Sequence, residues 1–139
     1  GYQRNPTTKE LFDFTRMDPS WGWAAGQLVS TPDDLNTFLR ALLGGKLLEP
    51  AQLAQMRTTI PTDPESGQGY GLGIFSMPLS CGKIAWGHSG DIPGYSTLNA
   101  TTDDGRAATL TVTSLNGSVT DKSVAADRGA LVDAALCAN

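Results

Sequence analysis

A change in hydrophobic period near residue 69 constrains the fold of this chain more than any other feature. Before it, apolar residues recur at the 3.6-residue spacing of an amphipathic helix. After it, four segments alternate with period two, and short turn sequences rich in Gly, Pro and Asp separate them. These predicted strands cover residues 70–77, 83–88, 95–101 and 107–114. Because short connections join antiparallel neighbours, the pattern predicts an antiparallel sheet.

Three helices are predicted around these strands, at about residues 31–43, 50–57 and 120–136. Ser30 or Thr31 can cap the first, and Pro32 suits its first turn. The last is expected to turn one apolar row inward: Val124, Leu131, Val132 and Leu136. This order predicts an α/β fold of the α+β type over residues 1–139, an antiparallel sheet with helices on one face. Residues 1–20 and 62–68 are expected to be mostly loop.

Charge and composition argue against several classes of function. The 139 residues carry a net charge of −4 and no basic run, so nucleic acid is not an expected partner. No apolar run reaches the roughly 18 residues of a membrane span. One histidine and two cysteines do not fit a zinc pattern, and no glycine-rich phosphate loop is present, so neither a metal nor another cofactor is expected.

The only histidine, His88, ends an apolar strand-like run and precedes Ser89 and Gly90. A lone histidine is often structural. However, a hydroxyl beside an imidazole at a strand end can bind a carboxylate or carbonyl, and the glycine lets a substrate backbone approach closely. Residues 86–95 are therefore the candidate site, and we expect the sheet edge beside the His88 strand to need a partner from outside the chain.

No nucleophile suited to His88 is apparent in the sequence. Ser80-Cys81-Gly82-Lys83 fits the S-x-x-K pattern of penicillin-recognising enzymes, in which Ser and Lys must share one helical turn. Gly82 and the neighbouring strands predict a tight turn instead, and the segment is too near His88 in sequence to face it across a cleft. We interpret this match as fortuitous.

Two pairs of residues leave alternatives open. Cys81 and Cys137 are either buried free thiols or a disulfide that ties the start of a strand to the last helix. Trp21 and Trp23 either pack in the core or form a cleft wall against a ligand. The small apolar stretch over residues 22–29 suits close packing under a cleft.

A series of short motifs runs through nearly the whole chain in a specific order. The motifs are Trp21 to Gly26 with Ser30, Asp34-Leu35 with Phe38, Gly44 with Leu47-Leu48, residues 51–56, residues 69–73, residues 79–82, His88-Ser89-Gly90, and Gly94-Tyr95. In this order they resemble the serine D-Ala-D-Ala carboxypeptidase and class C β-lactamase family, and most closely the secreted DD-peptidases of actinomycetes. Each motif alone is weak, whereas the ordered series is specific.

The resemblance implies roles for the residues of the candidate site. His88-Ser89-Gly90 matches a His-Thr-Gly variant of the family's K-T-G triad. His88 would polarise the site during proton transfer, and Ser89 would bind the ligand carboxylate. The backbone N–H of Asp91 would be one oxyanion-hole donor. Trp21 would lie near the substrate.

The resemblance also bears on the whole protein. Cys81 and Cys137 match the disulfide pair of the actinomycete relatives, which implies a disulfide and secretion. The family's Ser-x-x-Lys and Tyr-x-Asn motifs precede the segment that this chain resembles. The chain, which opens without Met, is therefore expected to be the C-terminal segment of a serine hydrolase and to be inactive by itself.

The expected partners are the N-terminal part of the same hydrolase and a small-molecule or peptide substrate. That substrate would be a D-Ala-D-Ala peptide, a β-lactam, or a related ester or amide. The alternatives are a family esterase or D-amidase, and a non-catalytic ligand-binding or interaction domain that kept the fold.

Two residues depart from the pattern of the DD-peptidase relatives. Phe75 stands where those enzymes have a basic residue that helps to hold the terminal carboxylate of the substrate, and Asp91 stands where a threonine is expected. An acidic side chain beside a bound carboxylate should repel it. We therefore expect carboxypeptidase action to be weaker than action on esters, amides or β-lactams.

Overall fold

A computed structural model describes residues 1–115 and 122–138, which form two sheets and three α-helices. The strands are β1 (Tyr2–Arg4), β2 (Leu11–Asp13), β3 (Ile60–Asp63), β4 (Gln68–Tyr70), β5 (Phe75–Pro78), β6 (Ile84–Ile92), β7 (Tyr95–Thr102), β8 (Ala107–Val112) and β9 (Ser114–Leu115). The helices are α1 (Pro32–Leu43), α2 (Pro50–Met56) and α3 (Lys122–Cys137), and a 3-10 helix covers Pro19–Ala25. The predicted class, an α/β fold with an antiparallel sheet and flanking helices, is confirmed.

The larger sheet has six strands in the order β3-β4-β5-β6-β7-β8, and every neighbouring pair is antiparallel. The β6–β7 hairpin is its longest pairing and turns at Pro93 and Gly94. Proline presets the first turn position, and Gly94 supplies the positive φ of 79° that the second requires. The turn predicted over residues 90–94 is therefore shorter, because β6 continues through Ile92.

Two sequence-based assignments are wrong. The predicted strand over residues 70–77 is two strands, β4 and β5, because the chain turns at Gly73 with a φ of 71°. The predicted loop over residues 62–68 includes the end of β3 and the start of β4. Residues 1–20 are mostly loop as predicted, but they also contain the short strands β1 and β2, which form the second sheet in the order β2-β1-β9. Strands of three or four residues are too short to show a reliable period.

Helices cover both faces of the larger sheet, not one face as predicted. Successive side chains of a strand point to opposite faces, and two neighbours in β6 show this: Ala85 packs against α3, whereas Trp86 packs against α1. The buried cluster on the α3 face contains Met77, Leu79, Ala85, Leu98, Ala100, Val132 and Leu136. The cluster on the α1 face contains Leu42, Ile74 and Trp86.

The row of α3 that faces the sheet is Arg128, Val132 and Leu136, spaced by one helical turn. Val132 and Leu136 are buried as predicted, whereas the predicted burial of Leu131 is wrong, since this side chain is 59% exposed. The side chain of Val124 and the first turn predicted for this helix lie outside the described part of the chain. Arg128 is only 7% exposed, and arginine is rarely buried without a partner.

The segment around Trp21 lies on the surface. Trp21 and Trp23 are 57% and 79% exposed, and Leu28 and Val29 are 88% and 89% exposed. Core packing of the two tryptophans within this chain is therefore wrong, whereas close packing of residues 22–29 under a cleft stays a prediction. Neither buried cluster contains a residue of the 3-10 helix, so this segment lies outside the core of the described chain.

The first two helices begin where the sequence predicts. Thr31 caps α1, since its hydroxyl oxygen accepts a hydrogen bond from the Asp34 N–H at 3.2 Å. Proline occupies the first turn of both α1 and α2. None of the described helices is both long and apolar enough to cross a bilayer.

The turn between β5 and β6 carries both the disulfide and the S-x-x-K match. Cys81 is bonded to Cys137 at the end of α3, which confirms the implied pairing. The Ser80 hydroxyl donates to Asp133 Oδ2 at 2.6 Å, whereas Lys83 Nζ pairs with Asp104 Oδ2 at 2.7 Å. Serine and lysine thus bind different carboxylates, which supports the interpretation of this match as fortuitous.

Removing the disulfide should weaken the fold. The Cys81→Ser/Cys137→Ser variant opens a crosslink between residues 56 apart in sequence, which should lower the free energy of unfolding by about 4 kcal/mol in the chain-entropy model. Urea unfolding of both proteins, with and without a reductant, measures this difference. Reduction should bring the wild type to the stability of the variant, and equal stability before reduction would contradict the prediction.

The separation of Ser80 from Lys83 can be tested by titration. Hydrogen bonds from Lys83 and then Thr102 lower the pKa of Asp104 from 3.8 to about 2, and hydrogen bonds from Ser80 lower the pKa of Asp133. Lys83→Met should raise only the first pKa, and Ser80→Ala only the second, in carboxyl carbon NMR titrations. Because a lowered native pKa stabilises the fold above the unfolded value, the Lys83 contribution should disappear as the pH falls from about 4 to 2. A shift of the Asp104 pKa in Ser80→Ala would contradict this separation.

Candidate active site

The candidate site lies where β6 extends beyond β5. The pairing of β5 with β6 ends at Phe75 opposite Gly87, whereas β7 pairs with β6 through Ile92. Residues 88–92 of β6 are therefore paired on one side only within the described sheet. The sequence predicted that the edge of β6 needs a partner from outside the chain. This is wrong for residues 84–87, which pair with β5, and it stays a prediction for residues 88–92.

One hydrogen bond shows how the backbone is directed here. The His88 N–H donates to Asn99 Oδ1 at 2.9 Å, and Asn99 lies opposite His88 on β7. Successive N–H groups of a strand point to opposite sides within the sheet plane. The N–H groups of Ser89 and Asp91 therefore point away from β7, to the open side. This direction is the one that the predicted oxyanion role of the Asp91 N–H requires.

Both ring nitrogens of His88 have partners. Nδ1 lies 2.6 Å from the Ser89 carbonyl oxygen, and Nε2 lies 2.7 Å from the Tyr70 hydroxyl oxygen. A carbonyl oxygen can only accept, so this contact assigns the proton of the neutral ring to Nδ1. Nε2 then accepts a hydrogen bond from the Tyr70 hydroxyl. The Tyr70 oxygen keeps lone pairs for a further donor.

Tyr70 is the site residue that the sequence reasoning missed. It ends β4, pairs with Phe75 at the start of β5, and is 40% exposed. The turn between these strands brings its ring to 5.8 Å from the imidazole of His88, edge to face. The available signal was the Tyr-Gly-Leu-Gly sequence of residues 70–73, in which glycine favours a turn rather than a continuous strand.

Phe75 gives the site an apolar wall. Its ring lies 6.3 Å from the His88 ring, and the side chain is half-buried against the cluster on the α3 face. At this position the sequence predicted the loss of a cation that holds a carboxylate. The structure places an aromatic ring beside the imidazole, which favours a neutral or apolar ligand group there.

Asp91 has a charged partner that sequence reasoning did not identify. Its Oδ1 accepts a hydrogen bond from Arg128 Nη1 at 2.8 Å and another from the Ser96 hydroxyl. The Arg128 side chain is 8% exposed and that of Asp91 29%. The ion pair neutralises the carboxylate, so the predicted repulsion of a bound carboxylate by Asp91 loses its physical basis. The case for weak carboxypeptidase action then depends on Phe75.

The remaining candidate residues are exposed. Ser89 and Gly90 lie on the unpaired half of β6, and a Cβ added to Gly90 would meet no atom within 4 Å. Glycine there leaves room over the strand rather than filling a tight contact. Trp21 is exposed in the 3-10 helix, and the ring contacts of His88 in the described chain are with Tyr70 and Phe75. The substrate role of Trp21 stays a prediction.

The described residues supply donors and an imidazole but not a complete hydrolytic site. Backbone N–H groups, the imidazole of His88 and the Tyr70 hydroxyl lie together at the end of β6. Ser80 is the serine of the S-x-x-K match, and its hydroxyl is bonded to Asp133. Within residues 1–115 and 122–138, no three His, Cys, Asp or Glu side chains are grouped closely enough to hold a metal ion.

Solved structures of D-specific amidases are similar to this chain. A D-stereospecific amidohydrolase from Streptomyces sp. is 34% identical, with a TM-score of 0.81 over 99% of this chain and 39% of that chain. The D-amino acid amidase from Ochrobactrum anthropi SV3, in complex with L-phenylalanine amide, is 28% identical, with a TM-score of 0.72 over 96% of this chain and 41% of that chain. The same amidase in complex with D-phenylalanine is 28% identical, with a TM-score of 0.70 over 95% and 42%.

This chain therefore spans about two fifths of the length of the solved structures that it matches. The sequence profile of the family described as Beta-lactamase matches residues 2–134, nearly the whole chain. The chain belongs to this beta-lactamase family, and the resemblance seen in its sequence is confirmed at that level.

Proposed function

We propose that this chain forms one wall of the active site of a secreted serine hydrolase that cleaves amides or esters of D-amino acids. The observation that carries the proposal is the open end of β6, where His88 lies between the Tyr70 hydroxyl and the Phe75 ring. The likeness to a D-stereospecific amidohydrolase over 99% of the chain supports this reaction class. The Cys81–Cys137 disulfide supports secretion, because disulfides persist in oxidising compartments.

In the proposed reaction, a serine from the rest of the hydrolase attacks the carbonyl carbon of the substrate. The negative charge that develops on the carbonyl oxygen is stabilised by the Asp91 N–H, which points to the open side. The C–N bond then breaks, and the amine leaves with the proton that the serine hydroxyl gave up to the site during its attack. Water hydrolyses the acyl-enzyme in a second addition, which releases the acid and restores the serine.

His88 acts in this proposal through Tyr70. Because Nε2 accepts from the Tyr70 hydroxyl, the tyrosine oxygen is the group that faces the cleft and accepts from a donor there. A proton that reaches this oxygen can be balanced by transfer of the tyrosine proton to Nε2. Ser89 and Gly90 flank the bound substrate, and Trp21 contributes a further apolar surface.

A neutral leaving group suits this site better than a free carboxylate. Phe75 offers no positive charge, and the Arg128 guanidinium is already paired with Asp91. A carboxylate brought against the Phe75 ring would lose hydration without gaining an ion pair. An amide or ester of the same acid carries no charge at this point and avoids that cost.

The full-length parent should hydrolyse D-phenylalanine amide, and it should prefer the amide of a D-Ala-D-Ala peptide to the free acid by at least about tenfold in kcat/KM. The L-amide serves as the stereochemical control and should be a poorer substrate. A clear preference for the free acid would overturn the assignment of the leaving group. If the parent hydrolyses none of these substrates, the alternative of a non-catalytic ligand-binding domain with the same fold would be favoured.

Two substitutions at Phe75 make this test specific. Phe75→Arg restores a cation beside His88 and should narrow the preference for the amide, mainly through a lower KM for the free acid. Phe75→Leu keeps an apolar side chain of smaller size and should leave the preference in place. An equal preference for the amide in both variants would mean that residue 75 acts through packing and not through charge.

Tyr70→Phe removes one hydroxyl and keeps the ring. In the parent it should lower kcat by about tenfold, with KM for D-phenylalanine amide little changed, because the lost hydroxyl carries a proton to Nε2 rather than binding the substrate. In this chain, which has a single histidine, nitrogen NMR should show the Nδ1–H tautomer in the wild type. The Nε2 resonance should move in Tyr70→Phe, where that nitrogen loses its donor.

Phe75→Leu is the matched control for the tyrosine, since Phe75 contacts the His88 ring without a hydrogen bond. It should leave the Nε2 resonance nearly unchanged. An Nε2–H tautomer in the wild type would contradict the assigned hydrogen bond. An unchanged kcat in Tyr70→Phe would remove Tyr70 from the proton path.

A further inference from the structure

Arg128 is the one charged residue in the sheet-facing row of α3 within the described residues. Val132 and Leu136, one and two turns further along, are 1% exposed and belong to the buried cluster. Arg128 continues this row towards the end of β6 and is 7% exposed, and its Nε is buried without a hydrogen-bond partner. Burying a guanidinium costs solvation, so a specific partner must hold it there.

That partner is Asp91, the residue after the His88-Ser89-Gly90 triad. Arg128 Nη1 lies 2.8 Å from Asp91 Oδ1, and the Ser96 hydroxyl donates to the same oxygen from the opposite position on β7. Ser96 is 1% exposed. The carboxylate is therefore held by one partner from the helix and one from the neighbouring strand.

The backbone and the side chain of Asp91 serve different sides of the strand. The side chain stands towards α3, on the face that carries Ala85 and Leu98. The N–H lies in the plane of the sheet and points to the open side, where β5 no longer pairs. Fixing the carboxylate on the helix face therefore also fixes the direction of the N–H.

We propose that Arg128 is a positioning residue for the oxyanion donor of the hydrolase, acting through the Asp91 carboxylate; this rests on the function proposed above. Its first effect is geometric, since it ties the unpaired end of β6 to α3. Its second effect is electrostatic. The oxyanion develops next to residue 91, and an unpaired carboxylate on that residue would oppose the charge. The Arg128 guanidinium neutralises the charge of this carboxylate.

The electrostatic effect separates this role from a merely structural one. If Arg128 serves to compensate Asp91, then a parent that lacks both charges should work better than a parent that lacks the arginine alone. If the ion pair only stabilises the fold, kcat and the hydrogen exchange at the end of β6 should change together in every variant, since both would follow the order of the strand alone. A double-mutant cycle distinguishes these cases.

The variants are Arg128→Met, Asp91→Thr and their combination in the full-length parent, with D-phenylalanine amide as substrate. Arg128→Met should lower kcat by about 100-fold, the scale of losing an oxyanion donor, with KM little changed. The double variant should recover to within about tenfold of the wild type. A double variant no faster than Arg128→Met would overturn the proposal. Arg40→Met, which removes an exposed arginine that binds the Gly105 carbonyl, is the matched control and should keep full activity.

A second measurement on this chain does not depend on the reaction. The Gly90 and Ile92 N–H groups point to β7, on the same side as that of His88, so their hydrogen exchange reports whether the end of β6 is held. Exchange at both should accelerate about tenfold or more in Arg128→Met and should stay accelerated in the double variant, because both variants lack the link from β6 to α3. Unchanged exchange in Arg128→Met would overturn the positioning role.

The two measurements separate the inference from the proposed function. A parent that hydrolyses neither the amide nor the acid refutes the function, whereas the exchange experiment still decides whether Arg128 positions the strand. If Arg128→Met fails to fold, Arg128→Lys keeps a cation at the end of a different side chain. It should retain more of the exchange protection and more of the kcat than any neutral residue that folds at this position, and a failure to do so would contradict the charge argument.

Discussion

The antiparallel pairing of β6 with β7 beyond the end of β5 is the constraint on which the candidate site depends. It holds residues 88–92 in an extended conformation while leaving one side of that strand unpaired. A strand paired on both sides would direct its N–H groups into the sheet, and an unpaired strand would not hold them in place. One-sided pairing provides fixed and accessible donors, which is what an oxyanion site needs.

Three supports meet at this strand end, each from a different element. The β4–β5 turn brings the Tyr70 hydroxyl to Nε2 of His88, and the Ser89 carbonyl fixes the other side of the ring. Arg128 of α3 binds the Asp91 carboxylate from the helix-covered face. The exposed pair of Lys83 with Asp104 has similar geometry, but solvent screens it, so removing one partner there should cost less stability than at the buried pair.

The parts of the fold that the sequence predicted are those coded by local chemistry. Thr31 and Pro32 define the start of α1, and the β6–β7 and β7–β8 turns follow from glycine, proline and aspartate. Short strands were missed, because three residues show no period. The assignment of helices to one face was wrong, because the period of β6 is hidden by burial on both sides.

The sequence by itself determined the antiparallel pairing of the larger sheet, the starts of α1 and α2, and the identity of the strand that carries His88, since each depends on neighbours in the chain. Only the tertiary structure decided which side chains complete the site. Tyr70 and Arg128 reach it from residues far away in sequence, and their contacts depend on strand register and on which row of α3 faces the sheet. An arginine in a helix normally faces solvent, and only the position of Asp91 on the strand beneath makes its burial favourable.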